Sequence, residues 1–239
     1  DIRAVGARFD TPAATSGATT ARCLIYVTPD AERTMCTFLG ASTQLEPEDL
    51  DLSMVRQAKV LYLEGYLFSS DDGFAAAVKA HEMAQKSDTK VSLTLSDPFM
   101  VSTFKDRFDS MLSTGVDVLF CNEDEAVACT GAADREAAGK ILGSQIEMAF
   151  ITCGADGALV YAHGDRHMVP GVQVKAVDTT GAGDLFAGGA LFGLTHGFGP
   201  VDSARLGSYA AAQVVSRFGP RLEESLANRI NQILAHFST

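Results

Sequence analysis

The run Asp178-Thr179-Thr180-Gly181-Ala182-Gly183-Asp184 places two glycines and two carboxylates in one short stretch, a set suited to holding an anion beside a proton acceptor. Gly181 and Gly183 let the backbone turn sharply. The apolar residues Val172, Val174 and Val177 ahead of them read as a strand, and Leu185, Phe186, Leu191 and Leu194 behind them recur at helical spacing. A helix starting there leaves the N–H groups of Gly181, Ala182 and Gly183 unpaired at its positive end, which is a seat for phosphate. Asp184 then falls in the first turn, where a carboxylate can take a proton from an attacking hydroxyl. The same residues also make an ordinary turn with an aspartate satisfying the helix dipole, and the stretch by itself leaves both readings open.

Two commoner glycine motifs do not fit. Gly183 and Gly188 have the P-loop separation, but Gly189 and Ala190 stand where that motif requires Lys and then Ser or Thr. A dinucleotide fingerprint beginning at Gly181 would need a glycine at Phe186 and an acidic ribose reader about 20 residues on, where Asp202 to Arg205 sit in a helix-like segment.

The elements that must hold these residues follow from the rest of the pattern. Lys59 to Glu64, Val91 to Ser96, Val116 to Phe120 and Ala149 to Thr152 read as short buried strands. Between them Phe74, Ala77, Val78, His81 and Ala84 form an amphipathic stripe, and Leu222, Leu226, Ile230, Ile233 and Phe237 predict another near the C-terminus. Such alternation implies a parallel sheet with helices on both faces. Glu64, Asp97, Asn122, Thr152 and the 178–184 segment all follow strands, so one sheet edge collects the polar chemistry. Residues 21–40 instead suit a hairpin turning at Pro29-Asp30.

With 239 residues, 46% of them hydrophobic, the chain can bury one substantial core. A formal net charge of −11 argues against nucleic-acid or membrane-surface partners. Five scattered cysteines without a Cys-x-x-Cys pair suggest neither a disulfide framework nor a zinc site, and fit a reducing cytoplasm. No apolar run approaches the roughly 18 residues of a membrane span. His163 and His167 are four apart, but Gly164-Asp165 between them reads as a turn rather than a metal-binding helix.

The complete string from Val177 to Gly189 resembles the second signature of the PfkB carbohydrate kinase family, and the resemblance extends over most of the chain. Leu95-Ser96-Asp97-Pro98-Phe99, the segment from Val118 to Ala126, and Gly207-Ser208-Tyr209-Ala210-Ala211 are most similar to the family's adenosine kinase branch. The resemblance implies an α/β ribokinase-like three-layer sandwich: a mainly parallel sheet with helices on both faces, plus a small β lid. Residues 1–18 and 41–239 would form the core and 19–40 part of the lid. It also implies phosphoryl transfer from Mg²⁺-ATP to a hydroxyl, with Asp184 as base and the Gly181, Ala182 and Gly183 amides holding the migrating group.

By the same resemblance Asn122 and Glu125 organise Mg²⁺ and phosphates, although Asn-x-x-Glu is equally a capping box. Thr152, Gly154 and Gly157 would lie along the nucleotide, and Ser208 would line the adenine pocket or simply pack a helix. Glu64 corresponds to a sugar-contacting acid, and Arg33 on the lid would neutralise phosphate charge or remain solvated. Asp178 and Thr180, with the loop around Gly219, match a monovalent-cation site that would take K⁺.

The family pattern has an N-terminal portion, with a substrate-binding Asp and Gly-Gly-x-x-x-Asn, ahead of the point where this sequence starts at Asp1. The acceptor implied is a small molecule, adenosine first. A sugar such as ribose, fructose or a sugar acid is favoured instead by Glu64, and a non-catalytic nucleotide-binding regulator is the reading from another class. The expected assembly is a monomer or homodimer.

Overall fold

The computed structural model describes residues 2–237. Two antiparallel strands, β1 (Arg22–Val27) and β2 (Arg33–Phe38), form a separate ribbon with its turn at Thr28 to Glu32, where the hairpin is expected. The main sheet runs in chain order from β3 (Val60–Glu64) through β4 (Lys90–Thr94), β5 (Val118–Asn122), β6 (Met148–Thr152) and β7 (Gly157–Ala162) to β8 (Asp165–Pro170). The first four are parallel and the last two antiparallel, so the carboxyl ends of β3 to β6 share one edge. Expected strand positions hold to within about two residues, the usual scatter at element ends.

Helices cover both faces. On one side α1 (Leu52–Gln57), α2 (Asp71–Gln85), α3 (Pro98–Thr103), α4 (Lys105–Ser113), α5 (Glu123–Thr130) and α6 (Arg135–Gln145) precede or follow the parallel strands, and a core including Ala77, Val101, Phe108, Leu119, Leu142 and Ile151 fills that interface. On the other side α7 (Ala182–Thr195) and α8 (Pro200–Val215) pack against Phe120, Phe150, Val160 and Val169. Phe120 and Phe150 stack at 5.1 Å, and Phe186 of α7 meets each of them edge-on at 6.3 Å. This aromatic trio fixes where α7 begins, and therefore where Asp184 sits.

Two expectations are corrected. Val172, Val174 and Val177 do not form a strand: residues 171–180 run as a loop after β8. Val174 is exposed and the Val177 N–H donates to Val215 O at the end of α8, so this stretch is held by a helix end rather than by a neighbouring strand. The C-terminal helix is also shorter than its apolar stripe, with α9 spanning only Ile230–His236. Leu222 and Leu226 are half-buried ahead of it, and a short helix with little packing is marginal.

The α7–α8 contact is a close crossing built on glycines. A Cβ at Gly189 would lie 2.8 Å from Gly207 Cα, and one at Gly207 would lie 2.6 Å from Phe186 O. Gly207→Val should therefore force α8 off α7 and lower stability by about 1–3 kcal/mol, read by urea denaturation; an unchanged midpoint would mean that the crossing is not tight.

Candidate functional site

Gly181, with φ +81°, precedes α7 and offers no side-chain cap. Of the three amides expected to be free, Ala182 N–H is not, since it donates to Thr179 O at 3.3 Å within a local turn. Among the described residues, the N–H groups of Gly181, Gly183 and Asp184 have no acceptor, because the first ladder bond of this helix is Leu185 N–H to Gly181 O. The free amides are thus those of Gly181, Gly183 and Asp184, shifted from the expected set by the tightness of the turn. Gly183 and the Asp184 side chain are exposed, open to a ligand.

Asp178 holds this loop in place. It is 4% exposed; its Oδ1 accepts from Thr180 N–H (2.9 Å) and Thr180 Oγ1 (2.6 Å), and its Oδ2 from Gly219 N–H (3.0 Å). Burial alone would push the carboxyl up, but the Thr180 and Gly219 donors, helped by the charge of Arg33, hold it below the usual range. Asp178, Thr180 and the Gly219 loop do come together, with the carboxylate occupied by chain donors.

Around this loop the sheet edge gathers acids. Glu64 ends β3, and its carboxyl is pushed up by partial desolvation and then by the charge of Asp184. Asp97 caps α3 through Phe99 N–H at 2.7 Å. Glu125 is 6% exposed and pushed up to about 7 by burial, against the Asn122 N–H that favours its charged form, with Asp97 and Asp124 adding repulsion. Both halves of the Asn122–Glu125 capping box form: Glu125 N–H donates to Asn122 Oδ1 at 2.7 Å and Asn122 N–H to Glu125 Oε2 at 3.0 Å. The capping role is therefore real, and it fixes the Glu125 carboxylate rather than competing with a site role.

Tyr66 was not singled out by the sequence. Its hydroxyl is pushed up first by burial and then by the charges of Asp97, Glu125, Asp184 and Glu64. The signal available was an aromatic residue two positions after the strand-ending Glu64. Tyr66 and its neighbour Gly65 are tied to Ser96, through Tyr66 OH to Ser96 O at 3.4 Å and Gly65 N–H to Ser96 Oγ at 2.9 Å. Ser96 takes a left-handed conformation (φ +71°), a strain of about 1 kcal/mol kept at the edge where the strand ends converge.

On the far side of the edge, Thr152 and Gly154 to Gly157 form the β6–β7 turn as expected. Gly157 has φ +108° and its Cβ would lie 2.1 Å from Val169 O, so glycine is required there. Arg135, another residue the sequence reading passed over, pairs with both Glu123 and Asp156 at 3.1 Å and ties this turn to the start of α5. Ser208 lies inside α8, buried, its hydroxyl without a partner among the described residues. It is two helical turns from Val215, roughly 10 Å along the helix from the anion loop. Arg33 is brought to the loop, its Nη1 donating to Thr179 Oγ1 at 2.6 Å.

A metal cage is not built in: among the described residues no three His, Cys, Asp or Glu side chains converge to hold an ion. The edge nevertheless concentrates Glu64, Asp97, Glu125 and Asp184, a surplus of negative charge that suits a cation carried in with phosphates and held through water. Among the described residues no helix is long and apolar enough to cross a membrane.

Comparison with known proteins agrees with this geometry. The model of the pfkB family carbohydrate kinases matches residues 4–226. The chain is 30% identical over 217 residues to adenosine kinase of Saccharomyces cerevisiae, covering 84% of this chain and 62% of that protein. It is 28% identical over 185 residues to 5-dehydro-2-deoxygluconokinase of Shouchella clausii, covering 74% and 57%. The crystal structure of adenosine kinase from Sinorhizobium meliloti superposes with a TM-score of 0.93 at 38% identity, over 97% of this chain and 71% of that one. The chain spans less than two thirds of the length of these curated relatives. With its signature loop, its sheet edge and nearly its whole length matched, the chain belongs to the pfkB family of carbohydrate kinases.

Proposed function

We propose that this protein is an ATP-dependent kinase that transfers the γ-phosphoryl group to a primary hydroxyl of a ribosyl-type acceptor, with adenosine as the leading acceptor. The observation that carries the reading is the start of α7: free Gly181, Gly183 and Asp184 amides lie at a helix N-terminus together with the exposed Asp184 carboxylate, whose charge reaches Glu64. In the transfer, Asp184 takes the proton of the acceptor hydroxyl. The acceptor oxygen bonds to the γ-phosphorus as the bridging oxygen leaves with ADP, and the amides hold the phosphoryl oxygens as charge spreads over them.

Mg²⁺ brought with ATP would neutralise phosphate charge, with Asn122 and Glu125 holding its waters, while Thr152, Gly154, Gly157 and Ser208 follow the nucleotide. Asp178 is occupied by Thr180 and Gly219 donors, so K⁺ beside it would draw mainly on backbone carbonyls of the same loops.

Adenosine leads because two exposed aromatic rings follow the strand ends, Tyr66 (44%) after β3 and Phe99 (70%) in the first turn of α3, and an aromatic face is what a purine stacks on. A sugar acceptor is the second reading, supported by Glu64, whose carboxylate can bind sugar hydroxyls without any base to stack, and by the similarity to a sugar-acid kinase.

Three outcomes test these points. Asp184→Asn should cut turnover at least about 10²-fold with ATP affinity little changed; steady-state kinetics showing near-normal turnover would remove Asp184 as base. In an acceptor screen with ATP, adenosine should release ADP faster than ribose or fructose, whereas activity on fructose alone would establish the sugar reading.

The third concerns Glu125. A carboxyl raised from its unfolded value to about 7 binds its proton more tightly in the fold, so its contribution to stability is full below about pH 4.5 and is lost as pH rises to about 7. At roughly 1.4 kcal/mol per unit, that loss amounts to about 3 kcal/mol at most. Glu125→Gln keeps an acceptor for the capping box and should flatten this part of the pH profile. Urea denaturation at pH 5 and pH 8 measures it, and an equal fall in wild type and variant would show that Glu125 is not the group responsible.

A further inference from the structure

The Thr179 hydroxyl is occupied on both sides by the β1–β2 hairpin. It accepts from Arg33 Nη1 at 2.6 Å and lies 3.2 Å from Ala31 O, to which it donates. Both contacts join the ribbon's tip to the residue just after Asp178, 146 and 148 positions away in sequence. The tip is built to present them. Thr28 N–H donates to Glu32 O and Ala31 N–H to Thr28 O, each at 2.9 Å, and Thr28 Oγ1 bonds Asp30. Ala31 is 2% exposed and left-handed (φ +67°), an unusual state for a residue with a Cβ. The strands themselves are almost entirely exposed, and a two-stranded ribbon is marginal by itself, so its position depends on where the tip is held.

Arg33 is the cation this contact positions. Among the described residues it makes no ion pair, although its charge is felt by Asp178. A guanidinium has five N–H donors in a rigid fork. With Nη1 on Thr179, two positions in sequence ahead of the Gly181 amide, the remaining donors have no acceptor among the described residues.

We propose that Thr179 is a positioning residue: its hydroxyl latches the lid tip onto the anion loop and parks Arg33 where a phosphoryl oxygen arrives, coupling lid closure to phosphate binding. The latch itself is independent of any activity, whereas its consequence for turnover rests on the kinase reading above.

The test uses Thr179→Val, which keeps the shape and loses both donor and acceptor, and Thr179→Ser, which keeps both. Without ligand, hydrogen exchange of the 22–38 amides should be about 10- to 100-fold faster in the valine variant and near wild type in the serine variant; equal exchange in wild type and Thr179→Val overturns the latch whatever the protein catalyses. With ATP and an acceptor, Thr179→Val should lower kcat/KM by about 10- to 100-fold and raise the share of ATP lost to water, with serine restoring both. Fast ribbon exchange combined with unchanged kcat/KM and unchanged coupling would overturn the positioning role. A wild-type protein that binds nucleotide but phosphorylates no acceptor would refute the kinase reading, leaving the exchange result to decide the latch.

Discussion

A helix that begins without a side-chain cap leaves backbone donors that water or a ligand must satisfy, and α7 begins in this way at the edge where the parallel strands end. Several other helices on the sheet are closed by their own side chains, with Ser70, Asp97, Asn122 and Asp134 at their N-caps. At α7, glycine replaces the cap. The loop ahead is held from below by the buried Asp178 carboxylate, which spends its oxygens on Thr180 and Gly219. The amides are thus fixed in direction before any anion arrives, and preorganised donors stabilise developing charge best.

The rest of the fold serves that placement. Phe186 wedged against the Phe120–Phe150 stack sets the height of α7 on the sheet, and the Gly189–Gly207 crossing brings α8 close enough for Val215 to hold Val177. Parallel strands deliver Glu64, Asp97 and Asn122 to the same edge, since side chains beyond strand carboxyl ends converge in this architecture. Burial at this edge raises the Glu64 and Glu125 carboxyls, and the neighbouring acids add to it, Asp184 for Glu64 and Asp97 and Asp124 for Glu125.

Much of this was legible in the sequence because it depends on local chemistry. Short apolar runs ending in polar residues gave the sheet and its polar edge, and the Gly-Ala-Gly-Asp run gave the helix start. The valines at 172, 174 and 177 misled because alternation reports a half-buried strand only where a partner strand exists, and here β8 had already closed the sheet. That Ala182 rather than Gly181 turns its amide inward depends on the turn's dihedrals, which Gly-Ala-Gly leaves undetermined. Thr179 and Tyr66 draw their importance from residues distant in sequence, Arg33 and Ala31 for one and the four acids for the other, and no local pattern marks such meetings.

The central claim is that the start of α7 receives the phosphate being transferred. Amide NMR of the ¹⁵N-labelled protein, titrated with Mg²⁺ and a non-hydrolysable ATP analogue, reads it directly. The Gly181, Gly183 and Asp184 N–H resonances should move downfield more than those of the other loops, with Ala182, already bonded to Thr179 O, moving least among its neighbours. Saturable nucleotide binding with those three resonances unmoved would place the phosphates elsewhere and contradict the account.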